Sequence, residues 1–243
     1  MSKELVVANI NVNNWCPIQK TSYKDRCTTI ADAIQEYNPS YIAAQEVLNG
    51  CLDTFKAAFP GYICICPPGS FGPRTLVSVM LVKYGTFSKI IIKEPPKDLL
   101  LRNRINILNI CDDNGNTTNI VNIYSVCPNG RTSKHYQRDI LADNFRNTVM
   151  NVISKENGPT LLLGDFQTDS NDPWMEELNI KGFKEAVKNV PTVSNPCFSI
   201  KAIDHIMMNR AFDTEYMLKN FEISNVLSNI SDHAVLVLRA IKK

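Results

Sequence analysis

The sequence predicts an α/β or α+β sandwich, with β-sheets in the middle and helices outside, and three observations carry this prediction. Short apolar runs rich in Val and Ile recur nine times along the chain, which is typical of strands. Longer stretches with apolar residues at helical spacing separate some of these runs. No internal repeat and no Gly-, Ser- or Pro-rich linker divides the 243 residues, so we expect a single domain over residues 1–243.

Each predicted element rests on its local pattern. In the first predicted helix Ile30, Ala33 and Ile34 share one face, and Pro39 follows its end. The predicted helices are Tyr23–Glu36, Leu52–Phe59, Lys134–Ser154 and Trp174–Leu178. The predicted strands are Leu5–Val12, Tyr41–Ala44, Val77–Val82, Ile90–Ile92, Ile105–Ile110, Ile120–Val126, Thr160–Leu163, Ile203–Met208 and Ala234–Ala240.

Composition excludes several classes of protein. Hydrophobic residues make up 44% and charged residues 21%, which argues against disorder. A net charge of +2 does not by itself indicate a nucleic-acid binder, although it permits a local basic patch. The eight cysteines form no Cys-x-x-Cys pattern, so we expect reduced thiols and no zinc site. No apolar run approaches the roughly 18 residues of a membrane span and no signal peptide is recognisable, so we expect a cytoplasmic protein without membrane contact.

Polar residues interrupt the first two predicted strands. Asn9, Asn11 and Asn13 alternate, which places them on one face. That face is either the solvated side of an edge strand or a row of amides aimed at an oxyanion or a metal-bound water. Glu46 ends the second strand, where it is either a surface residue or a hard carboxylate ligand of a metal.

Further polar groups follow the later strands. Asp165 comes after an apolar run and Gly164, either as the start of a turn or as a functional carboxylate. The pairs Asp204-His205 and Asp232-His233 contain two of the three histidines of the chain. Neighbours on a strand face opposite sides, so only one of Asp204 and His205 points into any one site. A buried carboxylate is costly alone, so we expect a partner for it.

In chain order these strand-end motifs are Asn, Gln-Glu, Pro-Asn, Gly-Asp-Phe, Ile-Asp-His and Ser-Asp-His, and together they resemble the endonuclease/exonuclease/phosphatase superfamily. The match runs from Asn11 to His233 and covers nearly the whole chain. The superfamily includes DNase I-like nucleases, AP endonucleases, inositol-phosphate phosphatases, sphingomyelinases and tyrosyl-DNA phosphodiesterases. The resemblance implies a four-layered sandwich of two central mixed β-sheets flanked by helices, hydrolysis of a phosphoester, and a requirement for Mg²⁺ or Mn²⁺.

The resemblance also implies roles for individual residues. Glu46 is expected to bind the metal, Asn11 to lie beside it, and Asp232 to contact a second metal or to be structural. Asp165 matches the Asp that orients or deprotonates the attacking water. His233 matches the His that contacts the scissile phosphate, and Asp204 its orienting carboxylate. His205, on the other strand face, is expected to be structural.

Two expected catalytic residues depart from the family pattern. Gln167 stands where the family usually has Asn, which lengthens the side chain by one methylene. Tyr124 lies two residues before the position expected for the family Tyr, about 7 Å further back on the same strand face. The AP-endonuclease pattern before Asp204 is also missing. These departures argue against a faithful abasic-site enzyme.

Basic residues near the motifs are candidate phosphate contacts. Arg131 follows the turn Pro128-Asn129-Gly130, and Arg74 lies in a Gly-containing loop. We expect Asn129, Arg131 and Arg74 to bind substrate; the alternative for Arg131 is an ordinary solvated helix start. Arg102 and Arg104 stand beside an apolar run and offer a further basic pair.

The sequence therefore predicts a monomeric, Mg²⁺-dependent phosphodiesterase that acts on nucleic acid, with DNA as the expected substrate. A phosphatase or phosphodiesterase for a nucleotide, an inositol phosphate or a lipid headgroup is the alternative enzyme. A binding module that has lost catalysis is the non-enzymatic alternative, but the carboxylates and His233 that catalysis needs are present.

Overall fold

The chain forms two mixed β-sheets packed face to face, with helices on their outer faces. In this computed structural model the described residues are 4–12, 22–69, 71–94, 102–127, 133–188, 190–193, 202–224 and 231–243. In chain order the strands are β1 (Glu4–Asn11), β2 (Tyr41–Leu48), β3 (Tyr62–Ile65), β4 (Leu76–Lys83), β5 (Lys89–Lys93), β6 (Ile105–Cys111), β7 (Thr117–Tyr124), β8 (Thr160–Asp165), β9 (Phe183–Glu185), β10 (Asp204–Asn209), β11 (Tyr216–Ser224) and β12 (Val235–Lys242). The helices are α1 (Tyr23–Gln35), α2 (Leu52–Ala57), α3 (Ser133–Ile153), α4 (Pro173–Ile180) and α5 (Arg210–Glu215).

Each sheet contains six strands within the described residues. The strand order is β11-β12-β1-β2-β4-β3 in the first sheet and β5-β6-β7-β8-β10-β9 in the second. Each sheet has one central parallel pair, β1 with β2 and β7 with β8, while the other pairs are antiparallel. Because parallel neighbours need a crossover, α1 joins the first pair and α3 joins the second. The four-layered sandwich expected from the sequence is confirmed.

Local sequence explains the ends of the helices. The Ser22 hydroxyl caps α1 by accepting from the amide of Asp25 at 3.1 Å. The Asp172 carboxylate caps α4 by accepting from the amide of Trp174 at 2.8 Å, and Pro173 occupies the first turn. Their apolar faces then pack on the sheets, which gives each helix its place in the outer layers.

Three layers of buried apolar side chains hold the sandwich together. One lies between the first sheet and α1 and α2, and it includes Ile30, Ile34 and Phe55. A second lies between the two sheets. The third lies between the second sheet and α3 and α4, and it includes Phe145 and Trp174. Because side chains alternate along each strand, a strand contributes residues to the layers on both of its faces.

The position of β1 corrects one interpretation of the sequence. Asn9 and Asn11 were compatible with the solvated face of an edge strand, but β1 lies between β12 and β2, and both side chains are fully buried. They point toward the second sheet, opposite the face that packs on α1. Asn9 accepts from Gln45 Nε2 at 2.9 Å, and the same nitrogen donates to Asn122 of β7 at 2.7 Å. Buried amides thus join the two sheets.

The topology gathers several strand ends at one edge of the sandwich. β1, β2, β7 and β8 all end there, because the members of each parallel pair point the same way. β10 and β12 are antiparallel to their neighbours, so they begin at this edge. Asp204, the first residue of β10, is paired with Asp165, the last residue of β8. The motifs singled out in the sequence therefore converge on this edge.

None of the helices in the described segments combines the length and apolar character needed to cross a bilayer.

Candidate active site

The Asn11 amide joins two carboxylates that come from different sheets. Its Nδ2 atom donates to Glu46 Oε1 at 3.1 Å and to Asp165 Oδ2 at 2.9 Å. All three residues are buried. One amide group therefore holds a carboxylate at the end of β2 next to a carboxylate at the end of β8.

A β-bulge turns Glu46 toward this centre. The pairing of β2 with β4 shifts its register between Ala44 and Val47, and Glu46 adopts φ +58°. In a regular strand Gln45 and Glu46 would face opposite sides. The bulge instead lets Gln45 bond to Asn122 of the second sheet while Glu46 reaches Asn11. Alternation alone could not predict this arrangement.

Gly164 allows β8 to present Asp165 at the same place. Its φ is +144°, and a Cβ atom there would lie 1.9 Å from the carbonyl oxygen of Ile123 on β7. Any other residue would push the two strands apart. The next turn returns Gln167, at φ +55°, onto the Asp165 carboxylate: its amide N–H donates to Oδ1 at 3.0 Å and its Nε2 to Oδ2 at 2.6 Å. The longer side chain of Gln167 thus still reaches Asp165.

His233 and Asp204 form a buried pair across the two sheets. His233 Nδ1 lies 2.8 Å from Asp204 Oδ2, and both side chains are almost fully excluded from solvent. The Thr192 hydroxyl accepts from the amide of Asp204 at 3.1 Å. The Ser231 hydroxyl accepts from the amide of His233 and donates to the carbonyl of Asn11. These bonds fix the ring, and Nε2 is the nitrogen that faces the group formed by Asn11, Glu46 and Asp165, which we call the carboxylate centre.

The surroundings shift the protonation of two of these groups. Burial, with the charges of Asp204 and Glu46, raises the pKa of Asp165 to about 7, although His233 opposes the rise. Burial lowers the pKa of His233, but the charge and hydrogen bond of Asp204 and the charges of Asp165 and Asp232 outweigh it and raise that pKa to about 10. At neutral pH His233 is therefore a cation, while Asp165 is divided between its protonated and ionised forms.

Tyr124 reaches the site despite its position in the sequence. The Glu46 carboxylate lies near its hydroxyl, and burial together with this charge raises the pKa of Tyr124, so the phenol stays protonated. The Arg104 guanidinium lies over the ring, 4.3 Å from its centroid, and donates to the carbonyls of Tyr124 and Ser125 at 3.2 and 2.8 Å. Arg104 was noted in the sequence only as a basic residue, and no local pattern announced its stacking on Tyr124.

The residues present fit a hard divalent cation. Glu46 Oε2 and Asp204 Oδ1 are buried without a hydrogen-bond partner among the described residues, and such oxygens are costly unless something binds them. One ligand atom each from Asp165, Asp204 and His233 lie within 4.8 Å of one another. Because His233 is held as a cation, the oxygen atoms of this centre are the better ligands. Carboxylate and amide oxygens are what Mg²⁺ or Mn²⁺ prefers.

The remaining predicted site residues lie at different distances from this centre. Asp232 Oδ1 is 3.7 Å from His233 Nε2, so it borders the centre. Arg74 is exposed in the turn before β4 and makes no hydrogen bond to the site residues described above. Asn129 and Arg131 lie outside the described residues. Thr192 and Ser231 were missed as supports, because a lone hydroxyl carries no pattern in a sequence.

The described fold was compared with solved structures. An endonuclease/exonuclease/phosphatase from Bacteroides vulgatus aligns with a TM-score of 0.75 at 15% identity, covering 99% of this chain and 100% of that one. A humanized D. rerio TDP2 aligns with a TM-score of 0.72 at 13% identity, covering 98% of each chain. The Bacteroides thetaiotaomicron mannosyl-6-phosphatase Bt3783 aligns with a TM-score of 0.68 at 18% identity, covering 97% and 99%. Similarity at this identity establishes the fold alone.

A search of curated proteins found no significant match. The model of the Endonuclease/Exonuclease/phosphatase family, whose members are metal-dependent phosphoester hydrolases, matches residues 7–233. That range contains every strand end that forms the carboxylate centre. The chain belongs to the Endonuclease/Exonuclease/phosphatase family.

Proposed function

We propose that this protein is a Mg²⁺-dependent phosphodiesterase that cleaves nucleic acid, with DNA as the substrate. One observation carries the hydrolytic part of the proposal. The Asn11 amide holds Glu46 and Asp165 together, and His233 faces them as a buried cation oriented by Asp204. Phosphodiester hydrolysis requires a basic oxygen for water and a cationic donor for the phosphate, and both are present side by side.

In this proposal Asp165 accepts the proton of the attacking water. A base is most effective when its pKa lies near the working pH, and burial brings the pKa of Asp165 to about 7. Asn11 and Gln167 orient its carboxylate through their amides. A bound divalent cation would supply charge neutralisation at the phosphate and would be held by the oxygens of Glu46 and its neighbours.

His233 then acts on the phosphate side. Its Nδ1–H is committed to Asp204, so Nε2–H is the donor that can reach a non-bridging or leaving oxygen. Its positive charge stabilises the negative charge that develops in the transition state. Tyr124 keeps its proton and is a second neutral donor at the Glu46 side.

Three arginines on one side of the site support a polyanionic substrate. Asn103 Nδ2 donates to the carbonyl of Leu76 at 2.7 Å, which ties the segment carrying Arg102 and Arg104 to the start of β4, two residues after Arg74. In the described part of the chain none of the three forms an ion pair with a carboxylate. Uncompensated arginines beside a phosphate-cleaving centre favour a substrate with further phosphates.

A small phosphomonoester is the second candidate substrate. The structural resemblance to a mannosyl-6-phosphatase keeps this alternative open at the level of the fold. The same carboxylates and His233 would serve either ester, so the catalytic centre does not distinguish them. Arg74 and Arg102 would distinguish them, because a monoester would leave both of these guanidinium groups unused.

The test is hydrolysis of supercoiled plasmid by the purified chain in Mg²⁺, with and without EDTA, beside a His233→Ala control. We expect Mg²⁺-dependent nicking that EDTA and the substitution both abolish. Bis-p-nitrophenyl phosphate and mannose 6-phosphate are assayed in parallel as a generic diester and a monoester. A charge-reversal variant, Arg74→Glu, is expected to weaken plasmid cleavage and leave bis-p-nitrophenyl phosphate hydrolysis unchanged.

Each outcome decides between the candidates. Turnover of the monoester without plasmid nicking would replace the nuclease proposal by the phosphatase alternative. If folded protein saturated with Mg²⁺ or Mn²⁺ hydrolyses none of the three substrates, the hydrolytic proposal is overturned and a binding module remains.

A further inference from the structure

A second histidine–carboxylate pair lies behind the loop that follows β8. His205 Nδ1 is 2.6 Å from Glu185 Oε1, and the exposed fractions of the two side chains are 3% and 2%. His205 Nε2 is 2.8 Å from the carbonyl oxygen of Thr168. Because a carbonyl oxygen only accepts, Nε2 carries the hydrogen of this bond. Both ring nitrogens are therefore engaged by the protein.

The pair holds the loop at two points. His205 donates to the carbonyl of Thr168, and the Ser170 hydroxyl donates to Glu185 Oε1 at 3.0 Å. The ring of Phe166 packs edge-on against His205, with centroids 5.1 Å apart. The residue between Phe166 and Thr168 is Gln167. The pair thus fixes the backbone on both sides of the residue that orients the Asp165 carboxylate.

Gln167 needs such support from outside. Its φ of +55° lies in the left-handed region, which is unfavourable for a residue with a Cβ atom. Strained positions persist only where the surroundings hold them. The two bonds from Gln167 to Asp165 stop at Gln167 itself, so they do not tie Thr168 and Ser170, the next part of the loop, to the second sheet. The bonds to His205 and Glu185 do so, because these residues belong to β10 and β9.

A purely structural role would not require these residue types. A buried ionisable pair is no more stabilising than apolar side chains of similar volume, and it is often less so. What the pair adds is direction: two hydrogen bonds aimed at the loop. The alternation of β10 places Asp204 on the face toward His233 and His205 on the face toward this loop. Consecutive residues of one strand therefore serve the two halves of the centre.

We propose that His205 and Glu185 are positioning residues for hydrolysis, holding the Thr168 carbonyl and the Ser170 hydroxyl so that Gln167 keeps Asp165 aimed at the reacting phosphate. The proposal rests on the proposed function. Neither residue touches the substrate, and both act through the loop.

The decisive variant is His205→Phe, which keeps a ring against Phe166 and removes both hydrogen bonds. We expect kcat to fall about 100-fold, because both the backbone N–H and the side-chain amide of Gln167 lose their position on Asp165, with KM changed less than about twofold. Two conservative variants separate the bonds. His205→Gln places an amide N–H near the position of Nε2, and His205→Asn near that of Nδ1. His205→Gln is expected to recover more kcat than His205→Asn, because the bond to Thr168 is the one that holds the loop.

Controls separate positioning from loss of stability. Val149→Ala removes fully buried methyl groups in α3 and lowers the Tm while leaving every hydrogen bond of the loop in place. Lys184→Ala changes the residue next to Glu185. The Lys184 ammonium pairs with Asp213 at the surface. Both should keep wild-type kcat at temperatures well below their Tm. The positioning role is overturned if Val149→Ala and His205→Phe lose kcat in the same proportion to the decrease in Tm.

A double-mutant cycle with Gln167→Ala tests the route of the effect. If His205 acts through Gln167, the double variant should lose little more kcat than the single variant that loses the most. Additive losses would overturn the proposal, as would full kcat in His205→Phe.

Hydrogen exchange gives a readout that does not depend on activity. His205→Phe should speed exchange of the amides of residues 166–170 at least tenfold and leave the amides of α1 unchanged. Unchanged exchange in the loop would overturn the positioning role even in an active enzyme. If the wild-type chain hydrolyses no phosphoester, the proposed function fails on its own assay, while hydrogen exchange still reports whether the pair holds the loop.

Discussion

Two buried histidines in the described part of the chain are each paired with a carboxylate. His233 bonds to Asp204 at 2.8 Å and His205 bonds to Glu185 at 2.6 Å. The two histidines are buried to nearly the same extent, and the first partner of each is a carboxylate. The second ring nitrogen separates them: that of His205 is tied to a backbone carbonyl, whereas that of His233 is 3.7 Å from the nearest Asp232 oxygen.

The difference shows where to look for a reactive histidine. An imidazole bonded to the protein through both nitrogens is part of the scaffold, whatever its charge. An imidazole held at one nitrogen presents a directed N–H at the other. Both histidines come from an Asp-His dipeptide, and each takes its hydrogen-bonded carboxylate from elsewhere in the chain, so the dipeptide alone does not identify the catalytic one.

Removing Nε2 of His233 should have the largest effect on kcat. His233→Asn keeps a donor near Nδ1 for Asp204 and removes Nε2, so we expect kcat to fall about 10³-fold. Steady-state hydrolysis of bis-p-nitrophenyl phosphate at pH 8 measures it. The contrast with the smaller loss in His205→Phe is the sharpest form of the comparison; equal losses would mean that the two histidines are not functionally distinct.

Removing the charge that holds His233 should come next. In Asp204→Asn the largest charge that raises the His233 pKa is gone, so that pKa falls toward its ordinary value and the imidazole is neutral at pH 8. We expect kcat about 10²-fold lower at pH 8, with part of the loss recovered as the pH is lowered. A pH–rate profile of the variant measures this. A kcat that stays at the wild-type level at alkaline pH would contradict the assigned role of Asp204.

The wild-type pH profile follows from the same pair of groups. Asp165 must be a carboxylate, so the rate rises with pH through the pKa of this group, which is about 7 without a bound cation and lower with one. His233 must keep its proton, and its pKa of about 10 makes the rate fall again in strongly alkaline solution. The expected profile of kcat/KM is therefore a bell, measured at constant ionic strength and saturating Mg²⁺. A bound cation would move the acid limb to lower pH, because positive charge stabilises the carboxylate.

The smallest expected effect concerns Gln167. Gln167→Ala removes one hydrogen bond to a charged oxygen, so kcat should fall about 10-fold. Gln167→Asn should retain more activity, because Asn tolerates the left-handed conformation and keeps an amide. The two variants assayed together at pH 8 decide whether the amide or only the backbone N–H of Gln167 orients Asp165.

The strands and helices that were predicted from apolar runs are all present, because buried strands leave a strong pattern. The elements that were missed are at the margins: β3, β9 and β11 are each at the outer end of a sheet or short, and residues 217–220 of β11 are exposed. An edge strand with one bonded side and exposed side chains has little hydrophobic alternation to detect. The helix α5 begins at an Asn209 cap that was not recognised.

The site could be predicted residue by residue only as far as strand ends and the family resemblance allow. Glu46 and Asp165 lie at the ends of strands and His233 lies just before one, all at the edge where these strands meet, and that much can be predicted from the sequence. The bulge that turns Glu46 and the bond from Gln167 back to Asp165 depend on left-handed backbone at non-glycine residues, which no propensity favours. Glu185 was missed because it lies on a strand of three residues and finds His205 only through the sheet.

The amide of Asn11 belongs to the first sheet, while the Asp165 oxygen that it grips belongs to the second, and His233 and Asp204 are divided in the same way. Neither half of the sandwich holds a complete set of reacting groups. A small slide of one sheet across the other would separate donors from acceptors before any strand or helix melted. Turnover in this protein therefore depends on the alignment of the two sheets. It should disappear at lower denaturant concentrations than the far-UV circular dichroism signal.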